Sequence, residues 1–379
     1  PYTTLFRSRA FDYFTLVQLY QFNYKGHEDA PGVPIITSEN AEEVAANGCA
    51  RSTVKETYEF ILGDLNKAIE LLANTKKTRS DKRYVSLDVA YGIRARVHLT
   101  MHNYADALKD AEAALASTSS VPYSSAAVSK PTFIDIEDAS WMWGILITDK
   151  DRVSTTGICN FPSHMGSLNY GYASVGGWRR ISPKLYNQIP ESDVRKGWFL
   201  DDTGVSVNLP AAAQAYITKK GAPVYTQVKY GPMNDEWGSN NNATDVILMR
   251  VEEMYLIKAE AQAMNNDVSG GVNTLNSFVN TYRDPSYKCT ATTGEAVQEA
   301  VWHQRRIEFW GEGLAYFDIM RLNKGVNRLG CGFPKTAVFN IAAGDPVQIY
   351  SIPNKEVQYN PLLENNPLVS APTPIPDEE

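Results

Sequence analysis

Glu299-Ala-Val-Trp-His-Gln-Arg-Arg-Ile-Glu-Phe-Trp-Gly-Glu-Gly-Leu-Ala-Tyr-Phe-Asp-Ile-Met-Arg321 is the stretch on which the reading of the whole chain turns. It reads as an amphipathic helix, a break at Gly311 and Gly313, and a second helix. Arg305, Arg306, Glu308, Glu312, Asp318 and Arg321 place charges among Trp302, Phe309, Trp310, Tyr316 and Phe317. A charge buried beside rings without a partner costs several kcal/mol. The segment is therefore expected to hold a structural ion-pair network bracing a helix pair, in preference to a catalytic Glu/Asp/Arg cluster. Trp302 and Trp310 belong to that packing.

Working outward, 244–264 and 271–282 read as another helix pair, with Met249, Met254, Leu256, Ala259 and Ala263 as packing residues. Nearer the start, 9–20 has apolar residues at helical spacing and runs into a loop carrying Gly26, Pro31, Gly32 and Pro34. A further helix follows Ser52, a candidate N-cap, and carries the stripe Tyr58, Ile61, Leu62, Leu65, Ile69 and Leu72. Ala90, Ile93, Val97 and Leu99 face inward in the next helix, whose partner spans 104–115. Ala95, Ala107, Ala111 and Ala114 fall on the small-residue positions of a tetratricopeptide repeat, where two helices approach closely, and Asn103-Tyr104 sits at the turn. Four helical hairpins, one cut short at its start, predict a mainly α, tetratricopeptide-like helical-hairpin solenoid with little β.

Between 118 and 243 helical periodicity disappears, while Gly, Pro, Ser, Asn, Tyr and Trp accumulate. A long irregular stretch inside a compact protein is functional or disordered, and the aromatic content argues for order. The expected organisation is one domain over 9–367, with helical repeats at 9–117 and 244–324, a large loop-rich insertion at 118–243 carrying the ligand face, and an irregular C-terminal segment at 325–367. Within that segment 347–353 is strand-like, and 368–379 reads as a disordered tail. Residues 1–8, Pro-Tyr-Thr-Thr-Leu-Phe-Arg-Ser, back-translate to the end of a widely used sequencing adapter and are expected to be an assembly artefact.

The net charge of −7 on 379 residues is the wrong sign for a phosphate-backbone partner, so nucleic acid is excluded. No apolar run approaches the ~18 residues of a membrane span. Cys49, Cys159, Cys289 and Cys331 are far apart, which argues against zinc and leaves one or two disulfides open. His98 and His102, four apart on one helix, read as a solvated or hydrogen-bonded pair, since no third metal ligand stands near them. Asp201-Asp202 and Glu252-Glu253 are adjacent carboxylates whose side chains point in different directions, unlike a glycosidase pair. No zinc-protease, phosphate-loop, nucleophile-elbow or dinucleotide-binding pattern is present. The chain is read as a non-enzyme without cofactor or metal.

Five motifs in order now carry a resemblance. They are the 9–20 helix with Gly32-Val33-Pro34 after it, Asp64-Leu-Asn-Lys-Ala-Ile-Glu-Leu-Leu72, Met249-Arg-Val-Glu-Glu-Met-Tyr-Leu-Ile-Lys-Ala-Glu-Ala261, the 299–321 stretch, and Ile352-Pro353 with Glu356 and Asn360-Pro361 to Asn366-Pro367. Together they resemble the SusD/RagB family of outer-membrane glycan-binding lipoproteins that work with a TonB-dependent transporter. The resemblance implies capture of an oligosaccharide at the cell surface and its delivery to a SusC-like TonB-dependent transporter, with a lipid anchor in the outer membrane. It also implies that Arg305, Arg306, Glu308, Glu312, Asp318 and Arg321 are structural. Ala315 stands where the family usually has Arg, so one ion pair is expected to be missing. Family members are longer at the N-terminus, which implies truncation. Surface capture of peptide cargo in the same lid role, or a tetratricopeptide-type protein scaffold, are the alternative readings.

Sugars offer C–H faces that stack on rings and hydroxyls that need hydrogen bonds, so a glycan platform combines aromatic rings with amides and charges on rigid loops. Two segments of the insertion have that composition: 169–180, with Tyr170, Tyr172, Trp178 and Arg179, and 229–242, with Tyr230, Asn234 and Trp237. These seven residues are the candidate ligand contacts. Trp141 and Trp143, beside Ile145 and Ile147, read as core, as does Trp198-Phe199 after Asp193 and Arg195.

Overall fold

The computed structural model describes residues 2–75, 79–151, 154 and 160–375. Fourteen α-helices and four short strands form among them, so the fold is mainly α with little β. The chain falls into two compact units, one made of 1–77, 90–113 and 313–379, the other of 78–89 and 114–312.

In the first unit, helix Tyr2–Tyr20 packs along helix Val54–Ala73. Ala10, Phe14 and Val17 on one side, and Tyr58, Ile61 and Leu65 on the other, are buried. A bidentate pair fixes their register: Arg9 donates to both oxygens of Asp64 at 2.7 and 2.8 Å. The cap of Val54–Ala73 is Thr53, one residue beyond the expected Ser52. Thr53 accepts from the Glu56 N–H, and Glu56 reaches back to the Thr53 N–H, a reciprocal capping box that a serine one position earlier does not form. Arg94 clamps Asp110 with two bonds of 2.7 Å, and Ala95, Ala107 and Ala111 are fully buried. Helix Leu87–Thr100 stops before His102, which has φ +60° and bonds the Arg321 carbonyl at 2.8 Å. The two histidines expected on one helix therefore do not share a face. The expected strand at 347–353 is absent. Pro346–Gln348 is a 3-10 turn, and the stretch is held by a backbone bond, from Tyr350 N–H to the Leu19 carbonyl, and by Asn366 on the Tyr350 carbonyl, not by a ladder. The small sheet of this unit pairs Val326–Asn327 with Asn340–Ile341. Ile375 donates its N–H to Val338, and the tail positions 376–379 lie outside the described residues.

In the second unit, helix Val251–Met264 packs against both Val268–Tyr282 and Gly294–Glu308. A Cβ on Gly271 would lie 2.7 Å from the Ala259 carbonyl and from the Ala263 side chain, so this hairpin closes only because those positions are small. That is the tetratricopeptide-like feature of the fold. The helix expected from Thr244 begins instead at Val251, because Val246–Arg250 is a strand paired antiparallel with Trp141–Ile145. A short apolar run is compatible with either state, and here the available ladder decides it. The insertion also contains a helix that periodicity missed, Ala211–Lys219, formed by an alanine-rich run after Pro210. Trp141, Trp143 and Trp198 are buried, with indole N–H groups bonded to Tyr123, Arg83 and Val128. Of the cysteines, Cys49, Cys289 and Cys331 are free, and Cys159 lies outside the described residues. Among the described residues no helix is long and apolar enough to cross a membrane.

Candidate functional site

The second unit is built around buried charge. Glu308 ends helix Gly294–Glu308, and its carboxylate accepts from Arg283 Nη2 and Nε at 2.7 Å each, Arg250 Nη1 at 3.1 Å and Arg195 Nη1 at 3.2 Å. Glu312, just past the left-handed Gly311 (φ +79°), accepts from Arg250 at 2.9 and 3.0 Å and from Lys229. Arg195 also pairs with Asp193 at 2.6 Å, and Glu252 bridges Arg250 and Arg283 at 3.0 and 3.2 Å. Four cations (Arg195, Lys229, Arg250, Arg283) thus meet four anions (Asp193, Glu252, Glu308, Glu312), all with nearly fully buried side chains. Burial pushes the Glu308 carboxyl up, but Arg283, Arg250 and Arg195 outweigh it and hold it well below the usual carboxylate range. Burial pushes Lys229 down to about 8, with Glu312 opposing. Lys229 lies 4.5 and 4.8 Å from the Phe133 and Trp198 ring centroids and donates to the Glu308 and Trp310 carbonyls at 3.0 Å.

The other charges of the 299–321 stretch sit elsewhere. Arg305 approaches Glu253 at 3.4 Å, Arg306 stacks 4.9 Å from the Trp302 ring, and Arg321 bonds Asp318 at 2.8 Å. The sequence showed the anions Glu308 and Glu312 but not their cations, which arrive from Arg195, Lys229, Arg250 and Arg283. Arg250, inside the 249–261 motif, Arg195, beside Asp193, and Lys229, first residue of the 229–242 segment, stood in stretches singled out for other reasons; Arg283 did not.

The same unit also exposes rings. Tyr170 is 51% exposed and Tyr172 45% exposed. Their loop is pinned: Tyr170 donates its N–H to Ser239 at 2.8 Å, Gly238 donates to Leu168 at 2.8 Å, and Tyr172 N–H donates to Ser163 Oγ at 2.9 Å. The 168–170 and 238–239 segments are thus joined by backbone bonds. Trp178 and Trp237, both half-buried, pack on the same apolar cluster of Leu168, Leu200, Ala213, Ile217 and Val228. Arg179 bonds the Gly177 carbonyl at 3.0 Å and reaches His164 Nδ1 at 3.4 Å, and the His164 ring lies 4.8 Å from that of Tyr172. Asn234 is exposed at φ +55°, a non-helical backbone inside the 3-10 turn Met233–Asp235. Tyr230 is placed differently. It is 6% exposed, its ring packs against Phe133 and Phe161, and burial holds its hydroxyl well above the usual phenol range. Its ring belongs to the core. Sequence reasoning missed Tyr216, whose hydroxyl donates to the Asn169 carbonyl at 3.1 Å, and Lys220, whose Nζ lies 5.3 and 5.7 Å from the Tyr170 and Tyr216 rings. Tyr216 lies on the helix that periodicity did not reveal, and Lys220 is its C-cap.

The geometry has clear relatives. Residues 192–368 match the SusD family, and 3–99 match the family described as starch-binding associating with outer membrane. Over both ranges the chain is similar to SusD-family proteins. A SusD superfamily protein from Bacteroides thetaiotaomicron superposes with TM-score 0.78 at 23% identity, over 97% of this chain and 77% of that one. A SusD-like carbohydrate binding protein from Bacteroides vulgatus gives 0.76 at 23%, over 95% and 76%. A SusD superfamily protein from Parabacteroides distasonis gives 0.69 at 18%, over 96% and 77%. At these identities the likeness is one of fold. A comparison with curated proteins finds no match.

Proposed function

We propose that this protein captures an oligosaccharide at the outer surface of the outer membrane and passes it to a SusC-like TonB-dependent transporter, without altering it. The observation that carries the reading is the Tyr170–Tyr172 face, two half-exposed rings on a loop locked by backbone bonds to 238–239. Rings held rigid before the ligand arrives lose little entropy on binding. Arg179, Lys220 and Asn234 supply polar partners from the same unit, and Trp178 and Trp237 stiffen the loops from below. The SusD family match and the outer-membrane description of the second matched family support the role.

Glycan array followed by calorimetry tests it. Stacking contributes about 1 kcal/mol per ring beyond buried area, so Tyr170→Ala with Tyr172→Ala should weaken a bound glycan roughly 30-fold. Chains recovered intact after incubation are expected. Wild-type affinity in the double variant, with an unchanged melting temperature, overturns the assignment of the face. No glycan bound by the wild type overturns the sugar reading in favour of peptide cargo.

A further inference from the structure

A cavity of about 500 Å³ in the second unit shares no lining residue with the proposed glycan face. Small-ligand sites span roughly 300–1,000 Å³ and combine an apolar wall with a few convergent polar groups. Here the wall is the Tyr186–Tyr225 pair, with ring centroids 5.1 Å apart and tilted 58°. Tyr225 sits at φ +66°, an unusual backbone for an aromatic residue. It is held there from both sides, its N–H donating to Leu200 at 3.0 Å and its carbonyl accepting from Ile181 at 3.0 Å. Strain kept in place by surrounding bonds is found where a side chain must be aimed.

The rim is acidic. Glu191, Asp201 and Asp202 line it against one cation, Lys196, while the fourth carboxylate, Asp193, is already neutralised by Arg195. Their field is felt at the wall: burial, then Asp201, Glu191 and Asp202, push the Tyr186 hydroxyl up to about 12. A cleft lined by one sign of charge concentrates the opposite sign and repels its own. The cavity already shows what it accommodates. The Lys196 ammonium lies 5.1 Å from the Tyr186 ring centroid and pairs with Glu191, so an ammonium is seated over a ring and against a carboxylate.

We propose that this cleft is a second saccharide site, selective for sugars bearing a primary ammonium and closed to uronate or sulfated chains, with Lys196 occupying the ammonium position until a ligand displaces it. The tyrosine pair takes the sugar's C–H face, Glu191 and Asp202 take the ammonium, and Asn187 and Ser192 at the rim meet hydroxyls. The saccharide half rests on the glycan-capture reading; the ammonium half does not.

The test is calorimetry with a glucosamine tetramer, its fully N-acetylated counterpart and tetralysine. The free-amine tetramer should bind wild type and the Tyr170→Ala/Tyr172→Ala variant alike, which separates this site from the first face. The acetylated tetramer, and the free-amine tetramer on Glu191→Gln/Asp202→Asn, should each be about tenfold weaker, the loss of a charge-assisted hydrogen bond. Both substituted side chains are at the rim, and an unchanged melting temperature verifies the fold. Lys196→Met should tighten the free-amine tetramer, a gain that damage to the fold would not produce. Equal binding of amine and acetylated tetramers, or indifference to the carboxylate substitutions, overturns the proposal. Tetralysine bound as tightly as the sugar overturns its saccharide half alone.

Discussion

Replacing Glu308 with glutamine keeps the shape of the side chain and removes one charge from a cluster in which four cations meet four anions. The carboxylate accepts four hydrogen bonds from three arginines. A glutamine accepts at one atom only, and its amide turns N–H groups toward guanidinium donors. Removing one member of a buried ionic group costs about 3–5 kcal/mol, because the partners keep their charge away from water. The lower end applies here, about 3 kcal/mol, since each arginine retains another anion: Asp193 for Arg195, Glu312 and Glu252 for Arg250, Glu252 for Arg283. Tryptophan fluorescence in urea reads this directly, because Trp141, Trp143, Trp178, Trp198, Trp237, Trp302 and Trp310 all lie in the second unit. Asp81→Asn, which breaks the more exposed pair with Arg83 in the same unit, should cost no more than about 1 kcal/mol. Because the folded Glu308 carboxyl lies below its unfolded value of about 4.3, its contribution is present at neutral pH. That contribution falls away as acid titrates the group, so the gap between wild type and Glu308→Gln should narrow below about pH 4. A loss under about 1 kcal/mol at pH 7, or a gap that does not narrow in acid, would refute the view that this cluster holds the unit together.

Lys229 shifts in the same direction, but here it is the charged form that burial disfavours: its folded value near 8 lies below the unfolded ~10.4. The unfolded chain therefore binds more protons between those values, and stability should rise with pH across that window, a rise that Lys229→Met removes in urea titrations. Gly311→Ala must adopt φ +79° and bring its Cβ within 2.7 Å of the Met165 methyl, so a loss of more than about 1 kcal/mol is expected by the same fluorescence assay. Thr53→Ala breaks the capping box of helix Val54–Ala73 and should cost about 1 kcal/mol, seen as faster amide exchange in its first turn.

Much of the helical framework was legible because burial imposes a period. The stripe from Tyr58 to Leu72 repeats every three or four residues, and Gly271, Ala259 and Ala263 mark a close helix contact by being small. Val246–Arg250 was not legible as a strand, since Val-Ile-Leu-Met fits a buried helix equally well and only the partner Trp141–Ile145 decides. Tyr230 looked like a ligand ring because Gly231, Pro232 and Asn234 follow it, yet 226–232 is buried without alternation, so polar neighbours in sequence said nothing about its own side chain. Tyr216 reaches the Asn169 carbonyl, and Lys220 the Tyr170 ring, from a helix and its C-cap formed by composition and not by periodicity, and no local pattern joins them. Two anions of the charge cluster, Glu308 and Glu312, sit in one stretch and could be read together. Their cations are scattered over 195–283, and proximity in space leaves no mark on spacing in sequence.

The buried cluster and the surface rings are parts of one construction. Residues 118–243 form few ladders, so their backbone groups need partners of another kind when buried. The cluster supplies them at Tyr123, whose carbonyl accepts from Arg283 and whose N–H donates to Glu252, while Lys229 in turn donates to the Glu308 and Trp310 carbonyls. From Lys229 the bonding continues outward. Its N–H donates to the Gln227 side chain, and that side chain reaches the Met165 carbonyl and Ser167 Oγ, at the foot of the loop that presents Tyr170 and Tyr172. An apolar core of equal volume would match the cluster in stability but has no donors for these carbonyls. Charge is retained here because it fixes where irregular chain must run, and the exposed rings can be held still only if the chain beneath them is.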